Sequence, residues 1–324
     1  MKSTAGVVLT SVVVALCAST LEAADWRPDR SVEIVVPTTP GGAADQTARY
    51  IQRLLQGPVG TDVTVVNKGG AGGAIAYAYL NQKQGNGHYL SLSTLNLVTN
   101  PITGLNAIGH ADVTAICQLY AEYPIFVVKA DSPYKNGKDL IARLRQDPSA
   151  VTITFSPGLG GALHLATATV MKAAGVDTKK LKVVVVQSSA DGITSVLGGH
   201  VDMAVVTPAN VIPHLQAGRL RAVGVASPRR MDGVFAQVAT WTEQGVPGVS
   251  ASWRGVIGPK GLAPNRIEYW ETVFAQLVKT DEWKKHLTLN ARTDEFMGSQ
   301  ETKRYYDAQY KELHALLVSL GLAK

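Results

Sequence analysis

The sequence predicts an α/β protein built as two lobes. Three observations carry that prediction. Short runs of β-branched residues alternate with helical patterns along most of the chain. A unit made of strand, glycine loop and helix occurs twice, once from Val32 and once from Val151. No long Gly, Ser or Pro linker separates the two occurrences. The 324 residues suit about two domains at roughly 150 residues each.

The first unit opens with Val32 to Val36, continues through Pro37-Thr38-Thr39-Pro40-Gly41-Gly42, and enters a helical pattern from Ala44 to Leu55 with apolar positions at Ala48, Ile51, Leu54 and Leu55. Val63 to Val66 reads as a second strand before Gly69-Gly70-Ala71-Gly72-Gly73 and a helix over Ala74 to Leu80. Tyr89 to Ser93, Ala115 to Leu119 and Ile125 to Val128 continue the strands, and Asp131-Ser132-Pro133 leads to a helix around Lys138 to Arg145. The second unit runs from Val151 to Phe155 through Ser156-Pro157-Gly158-Leu159-Gly160-Gly161 into a helix from Ala162 to Ala174. Val183 to Val186, a helix over Gly192 to Leu197, Met203 to Val206 and Leu220 to Val225 complete the block, and the tail from Asn265 to Leu322 carries three helical patterns. Such alternation calls for largely parallel sheets with the ligand crevice at the carboxyl ends of the strands. The lobes are expected to join through strands crossing near Val127 to Lys129 and Val225 to Ser227. That divides the chain into a leader (1–23), a first domain (24–128 and 226–324) and a second domain (129–225).

Lys2, an apolar stretch from Ala5 to Leu16, and small residues ending at Ala23 and Ala24 form a secretory leader with cleavage expected near those alanines. The mature chain is therefore expected to be soluble and exported; the periplasm as its compartment is what the family resemblance described below implies. Leu16 is too bulky to make Cys17 a lipid attachment site. With Cys17 removed in the leader, Cys117 stands alone, so a disulfide framework and a cysteine metal site are both excluded. Hydrophobic residues at 46% and charged residues at 17% exclude a disordered chain. The formal charge of +6 comes from scattered Lys and Arg without aromatic interleaving, which argues against nucleic-acid binding and for a mild attraction toward small anions.

The glycine loops are not nucleotide motifs. Gly158-Leu159-Gly160 has Leu163 where the dinucleotide fingerprint needs its third glycine, and no loop ends in Gly-Lys-Ser/Thr. Gly-x-Ser-x-Gly, His-Glu-x-x-His and Cys-x-x-Cys are also missing, so no catalytic residue, metal site or cofactor is predicted. Glycine lets backbone approach a ligand closely, and the first amides of the helix behind it lack intrahelical partners at the positive end of the dipole. Such ends bind carboxylates. One loop from each lobe would hold an organic acid from both sides, although each loop taken singly is equally a tight turn before a helix.

The motifs Val36-Pro37-x-x-x-Gly41-Gly42-x-x-Asp45-x-x-Ala48-Arg49, Val66-Asn67-Lys68-x-Gly70-Ala71-Gly72-Gly73 and Ser156-x-Gly158-x-Gly160-x-x-x-His164-Leu165-Ala166 follow one another in that order. Then come Leu197-Gly198-Gly199-His200-Val201-Asp202, Ala217 to Ala222, Glu243 to Gly248 and Trp253-Arg254-Gly255. Together they resemble the solute receptors of tripartite tricarboxylate transporters, the Bug or TctC family, from about residue 32 to the C-terminus. The resemblance implies a two-lobed type II periplasmic binding-protein fold that closes on an organic acid and delivers it to membrane permease subunits, as a monomer. It also implies carboxylate contacts from Pro40, Gly41, Gly42, Ala43 and Asp45 on one side and Ser156, Gly158, Gly160 and Gly161 on the other, in part through bridging waters.

The sequence departs from that family's pattern at several places. Thr38 stands where an aromatic is usual, Ala43 and Ala44 lack a neighbouring hydroxyl, and Gly161 replaces a frequent Ser. In Val184-Val185-Val186-Gln187-Ser188-Ser189 the usual Pro-Tyr-Lys-Gly-like stretch is absent, and Gln187 and Ser188 are candidates for replacement contacts. Asp45 is either a first-turn dipole partner or an orienter of the loop, with Arg49 at i,i+4 as its ion-pair partner. His164 is expected to make a structural hydrogen bond, with ligand contact as the alternative. Thr94, Asn96 and Asn100 after one strand, and Thr207 after another, are placed to enter the crevice or to perform ordinary turn chemistry. Arg219, Arg221, Arg229 and Arg230 form a solvated face or a permease contact. The expected function is capture of a di- or tricarboxylate or aromatic carboxylate for uptake. Presentation of that ligand to a sensor kinase and an exported α/β hydrolase are the alternatives.

Overall fold

The computed structural model describes residues 26–41, 43–156 and 158–324. The predicted leader and Gly42 lie outside the described residues. The first lobe begins with β1 (Val32–Val36), α1 (Ala43–Leu55), β2 (Val63–Asn67), α2 (Ala74–Asn81), β3 (Tyr89–Ser93), α3 (Asn96–Thr103) and β4 (Thr114–Glu122). The second comprises β5 (Ile125–Lys129), α4 (Gly137–Gln146), β6 (Thr152–Phe155), α5 (Ala162–Ala173), β7 (Lys182–Val185), α6 (Ser189–Leu197), β8 (Met203–Val206), α7 (Pro208–Gln216) and β9 (Leu220–Val225). The chain then returns to the first lobe with β10 (Ser252–Gly258), α8 (Pro264–Leu277), α9 (Asp281–Leu289), β11 (Thr293–Met297) and α10 (Ser299–Ser319).

Two sheets result, a six-stranded one in the order β11-β4-β10-β3-β1-β2 and a five-stranded one in the order β7-β6-β8-β5-β9. β1 pairs in parallel with β2 and β3, and β6 with β7 and β8, as the strand, loop, helix repeats require. Being covered on both faces, β1 is buried at four of its five positions, which is why it reads as an almost unbroken apolar run. On one face of the first sheet, Ala44, Ala48 and Ile51 of α1 pack with Ile34, Val36, Leu92, Tyr120 and Val256, and α8 and α9 add Trp270 and Trp283. Each such large side chain contributes about 1.5–3 kcal/mol on burial.

Strands change sheet at different residues from those expected. β5 pairs with β8 and β9 along its whole length, so the first crossing is Tyr123-Pro124 rather than Val127 to Lys129. The second lies near Ser250, not at Val225 to Ser227. Residues after β9 stay with the second lobe: Val225 bridges Thr240, Trp241 is part of that lobe's core, and Gln244 Oε1 accepts the amide of Gly137 at 2.7 Å. The Trp241 ring packs so closely on α4 that a Cβ on Gly137 would come within 2.5 Å of it. The sequence reading cut the second lobe short because turn residues after Val225 resemble a domain exit, while the anchoring tryptophan lies further on.

The crossings orient the two lobes. Glu122, the carboxyl end of β4, pairs with Ser252, and Ile125 at the start of β5 pairs with Val206 at the carboxyl end of β8. The parallel strands of both sheets therefore point their carboxyl ends at the hinge. The loops after β1 and β3 open on the same interlobe gap as the loops after β6 and β8. The lobes also touch: Leu165 and Ala168 of α5 share a core with Leu97 and Ile102 of α3 and Leu316 and Leu317 of α10.

Candidate functional site

On the first-lobe side, the chain leaves β1 through a loop in which Thr38 is half-buried, Pro40 and Gly41 are exposed, and Gly41 adopts φ +84°. Ala43, exposed, opens α1. Asp45 is 3% exposed, and its Oδ2 accepts the amide of Gly41 at 2.8 Å and Arg49 Nε at 3.1 Å. Burial alone would raise its pKa, but the Gly41 amide and the Arg49 guanidinium outweigh it and hold the carboxyl below its ordinary value. Asp45 is thus the brace of the turn. A second brace comes from β2, where Asn67 Nδ2 donates to the carbonyl of Thr38 at 3.2 Å and Asn67 Oδ1 accepts Arg49 Nη2 at 3.3 Å. Thr38 Oγ1 and Asp45 Oδ1 are buried and have no hydrogen-bond partner among the described residues.

Beside this loop, Thr94 follows β3 and its Oγ1 lies 3.3 Å from the hydroxyl of Tyr77, while its carbonyl accepts the amide of Leu97. Asn96 is the first residue of α3 and half-buried. Asn100 turns the other way, donating to the carbonyl of Gly72 at 3.0 Å, and so fastens the neighbouring glycine-rich turn.

On the second-lobe side, Ser156 is buried at the end of β6. Gly158 accepts the amide of Gly161 at 3.3 Å, and Gly160 takes φ +78°. The amide of Gly160 donates to His164 Nδ1 at 2.9 Å. Burial lowers the His164 pKa, which keeps this acceptor nitrogen free of a proton. Gly161 is the N-cap of α5 and, having no side chain, leaves the helix without a side-chain cap. The first intrahelical bond is from Leu165 to Gly161, so the amides of Ala162, Leu163 and His164 precede any intrahelical bonding. This turn stands against the first lobe, where Cγ2 of Thr103 in α3 is 4.0 Å from a Cβ placed on Gly160.

The remaining candidates differ in kind. Thr207 is the N-cap residue of α7, but its Oγ1 is turned to Asn210 Oδ1 at 2.6 Å. Ser188 caps α6, accepting the amide of Asp191 at 3.2 Å and donating to its carboxylate, and both Ser188 and Gln187 are exposed beside the edge strand β7. The hydroxyl of Ser188 is therefore engaged locally.

Three features escaped the sequence reading. α3 and α7 are helices where only loop residues were expected, since Pro101 and Pro213 interrupt their patterns. Thr47, one turn into α1, meets the hydroxyl of Tyr120 at 2.9 Å and ties the helix to β4. Arg254 of β10 was visible only as part of a family motif. Two roomy cavities lie away from these loops: one of about 900 Å³ between α1 and α8 on the outer side of the first lobe, and one of about 800 Å³ beside Tyr123.

The sequence pattern of the tripartite tricarboxylate transporter family receptor, TctC, matches residues 47–322. The chain belongs to this family. Among curated relatives, a protein encoded in the tcbD-tcbE intergenic region of Pseudomonas sp. strain P51 is 31% identical over 81% of this chain and 78% of its own. BugT of Bordetella pertussis is 29% identical over 75% of each chain. Among solved structures, a TctC solute-binding protein from Polaromonas superposes with a TM-score of 0.80 at 26% identity, covering 90% of this chain and 98% of its own. Rpa4515 of R. palustris with adipate gives 0.76 at 25% identity, covering 91% and 99%. The two-lobed binding-protein architecture expected from the TctC resemblance is thus the observed one, and the family is one of solute receptors rather than enzymes.

Proposed function

We propose that this TctC-family chain is a periplasmic receptor that captures a small organic carboxylate between its lobes and presents it, unaltered, to membrane permease subunits of a tripartite transporter. The observation that carries this reading is the uncapped first turn of α5 behind Gly161, opening on the same gap as the glycine turn and first turn of α1. Amides at such helix ends favour anions by charge and by geometry. The adipate in the Rpa4515 structure supports a carboxylate as the ligand class. The residues assigned to contact are the loop Thr38 to Asp45, Thr94 and Asn96 on one side, and Ser156 to Gly161 with Thr207 on the other. His164 and Asp45 act chiefly by holding their turns. Capture works only if the ligand binds the closed arrangement better than the open one. Calorimetric titration of the mature protein, after removal of any co-purified ligand, with mono-, di- and tricarboxylates tests the proposal. Saturable heat with at least one of them is expected, and silence across the whole set overturns it.

A further inference from the structure

We propose that Arg254 is the ligand's charge partner and that it selects doubly charged acids over singly charged ones. This rests on the carboxylate-receptor reading above and names the class within it. Arg254 lies two residues into β10, directly across from Tyr120 of β4. Continuing the pairings Gly255↔Ser93 and Val35↔Ser91 beyond the ends of β3 and β1 brings Arg254 level with Thr94 and Thr38, the two loop residues at the floor of the gap. Alternation along β10 sets Arg254 on the face of Val256, the face that α1 covers. Its neighbour Tyr120 holds Thr47 in α1. Arg254 therefore sits near the hinge end of β10, on the sheet face that α1 covers.

Its electrostatic state is incomplete. Arg254 is mostly shielded from solvent, and Nη1 is spent on two neutral acceptors, Ser252 Oγ at 3.2 Å and the carbonyl of Trp253 at 2.7 Å. Nε is buried without a hydrogen-bond partner, and no carboxylate among the described residues pairs with this arginine. On the adjacent strand, Glu122, opposite Ser252, is taken by Arg292 at 2.9 Å. A shielded cation without a counter-charge is costly to keep in a fold, and Thr38 Oγ1, level with it, is also buried without a partner. A ligand carboxylate would satisfy both donors at once. Its second carboxylate would be left for the amides of α5 across the gap.

The test uses linear dicarboxylates from succinate to suberate, each beside its half-amide, titrated calorimetrically into the mature protein and its Arg254→Gln and Arg254→Lys variants. A charge-assisted bond of this kind corresponds to about tenfold or more in affinity. The wild type is expected to prefer its best dicarboxylate over the half-amide by at least about tenfold. Arg254→Gln should lose that preference while holding the half-amide as before, and Arg254→Lys should fall between. The ligand-free Arg254→Gln protein should melt no lower than wild type, since a shielded unpaired charge has been removed. Unchanged dicarboxylate affinity in Arg254→Gln overturns the proposal, as does an equal loss for diacid and half-amide or a collapse of the ligand-free melting temperature. A wild-type protein that binds no carboxylate of any kind overturns the receptor reading itself, and this assignment with it.

Discussion

The imidazole Nδ1 of His164 accepts the amide hydrogen of Gly160 at 2.9 Å, closing the second-lobe turn onto the helix that follows it. The bond ties a glycine at φ +78° to a ring that is itself packed on Phe155, with centroids 4.9 Å apart. One of the amides that the sequence offered to a ligand is therefore consumed in shaping the turn, as Gly41's amide is by Asp45 in the first lobe. Each turn is braced by such a bond, and bracing of this kind lowers the ordering cost of binding.

His164→Ala should leave the fold standing, with a loss of about 1–2 kcal/mol from the deleted hydrogen bond and packing. Ligand affinity should fall by at least about tenfold because the turn loses its shape. Titration of the variant beside its thermal melt separates the two effects. Full affinity in a destabilised variant would show that the turn needs no brace.

Ser188→Ala tests the opposite assignment. Removing the cap of α6 should cost about 1 kcal/mol, while affinity for carboxylates stays within about twofold, equivalent to roughly 0.4 kcal/mol. A large affinity loss would return Ser188 to the contact set.

The pH dependence of stability should carry the mark of His286. Its Nε2 is 2.7 Å from Arg292 Nη1 and its ring stacks on Tyr50 at 4.0 Å, so the neutral imidazole accepts from the guanidinium. Burial and then the charges of Arg292 and Arg53 lower its pKa to about 4. The unfolded chain binds this proton near the ordinary histidine value of 6.5, above the folded one. The contribution is therefore complete above that value and is lost as pH falls toward about 4. Thermal melts from neutral to mildly acidic pH should show wild type losing more than His286→Gln. Parallel curves would remove His286 from the account.

Two glycine substitutions should differ sharply. At Gly41, φ is +84° but nothing lies within 4 Å of an added Cβ, so Gly41→Ala meets only backbone strain of about 1 kcal/mol. At Gly255 the added carbon would come within 2.6 Å of the Cys117 carbonyl and the Tyr306 hydroxyl, and 2.8 Å from Ser93 Oγ. Gly255→Ala should cost about 3 kcal/mol or more, because the obstructing oxygen of Cys117 is backbone in a paired strand. Denaturant titrations of both variants give the comparison.

Much of this molecule is legible from its residues. Strands such as Tyr89–Ser93, Met203–Val206 and Leu220–Val225 fall where apolar runs bounded by turn residues place them. The i,i+4 pairing of Asp45 with Arg49 and the structural bond of His164 follow from spacing alone. β10 and β11 were not recognised, because their identity as strands depends on partners more than a hundred residues away in the chain. The crossing at Tyr123-Pro124 was invisible for a related reason, since only the pairing of β5 with β8 and β9 shows that it belongs to the second sheet. Arg254 appeared in the sequence only within the Trp253-Arg254-Gly255 motif, without a sign of its role. Only the register that sets it level with Thr38 and Thr94 distinguishes it from other scattered basic residues.

The position of β10, between β3 and β4 in the centre of the first sheet, has a consequence for how the chain matures. The second lobe is one uninterrupted stretch and can consolidate as soon as it emerges. The first cannot zip its middle until the final quarter of the polypeptide is available, and closing so long a loop is slow. The rate-limiting event in refolding should therefore be the late threading of that strand. Truncation before it should leave a half-molecule with an open seam exactly where monomers would stick together.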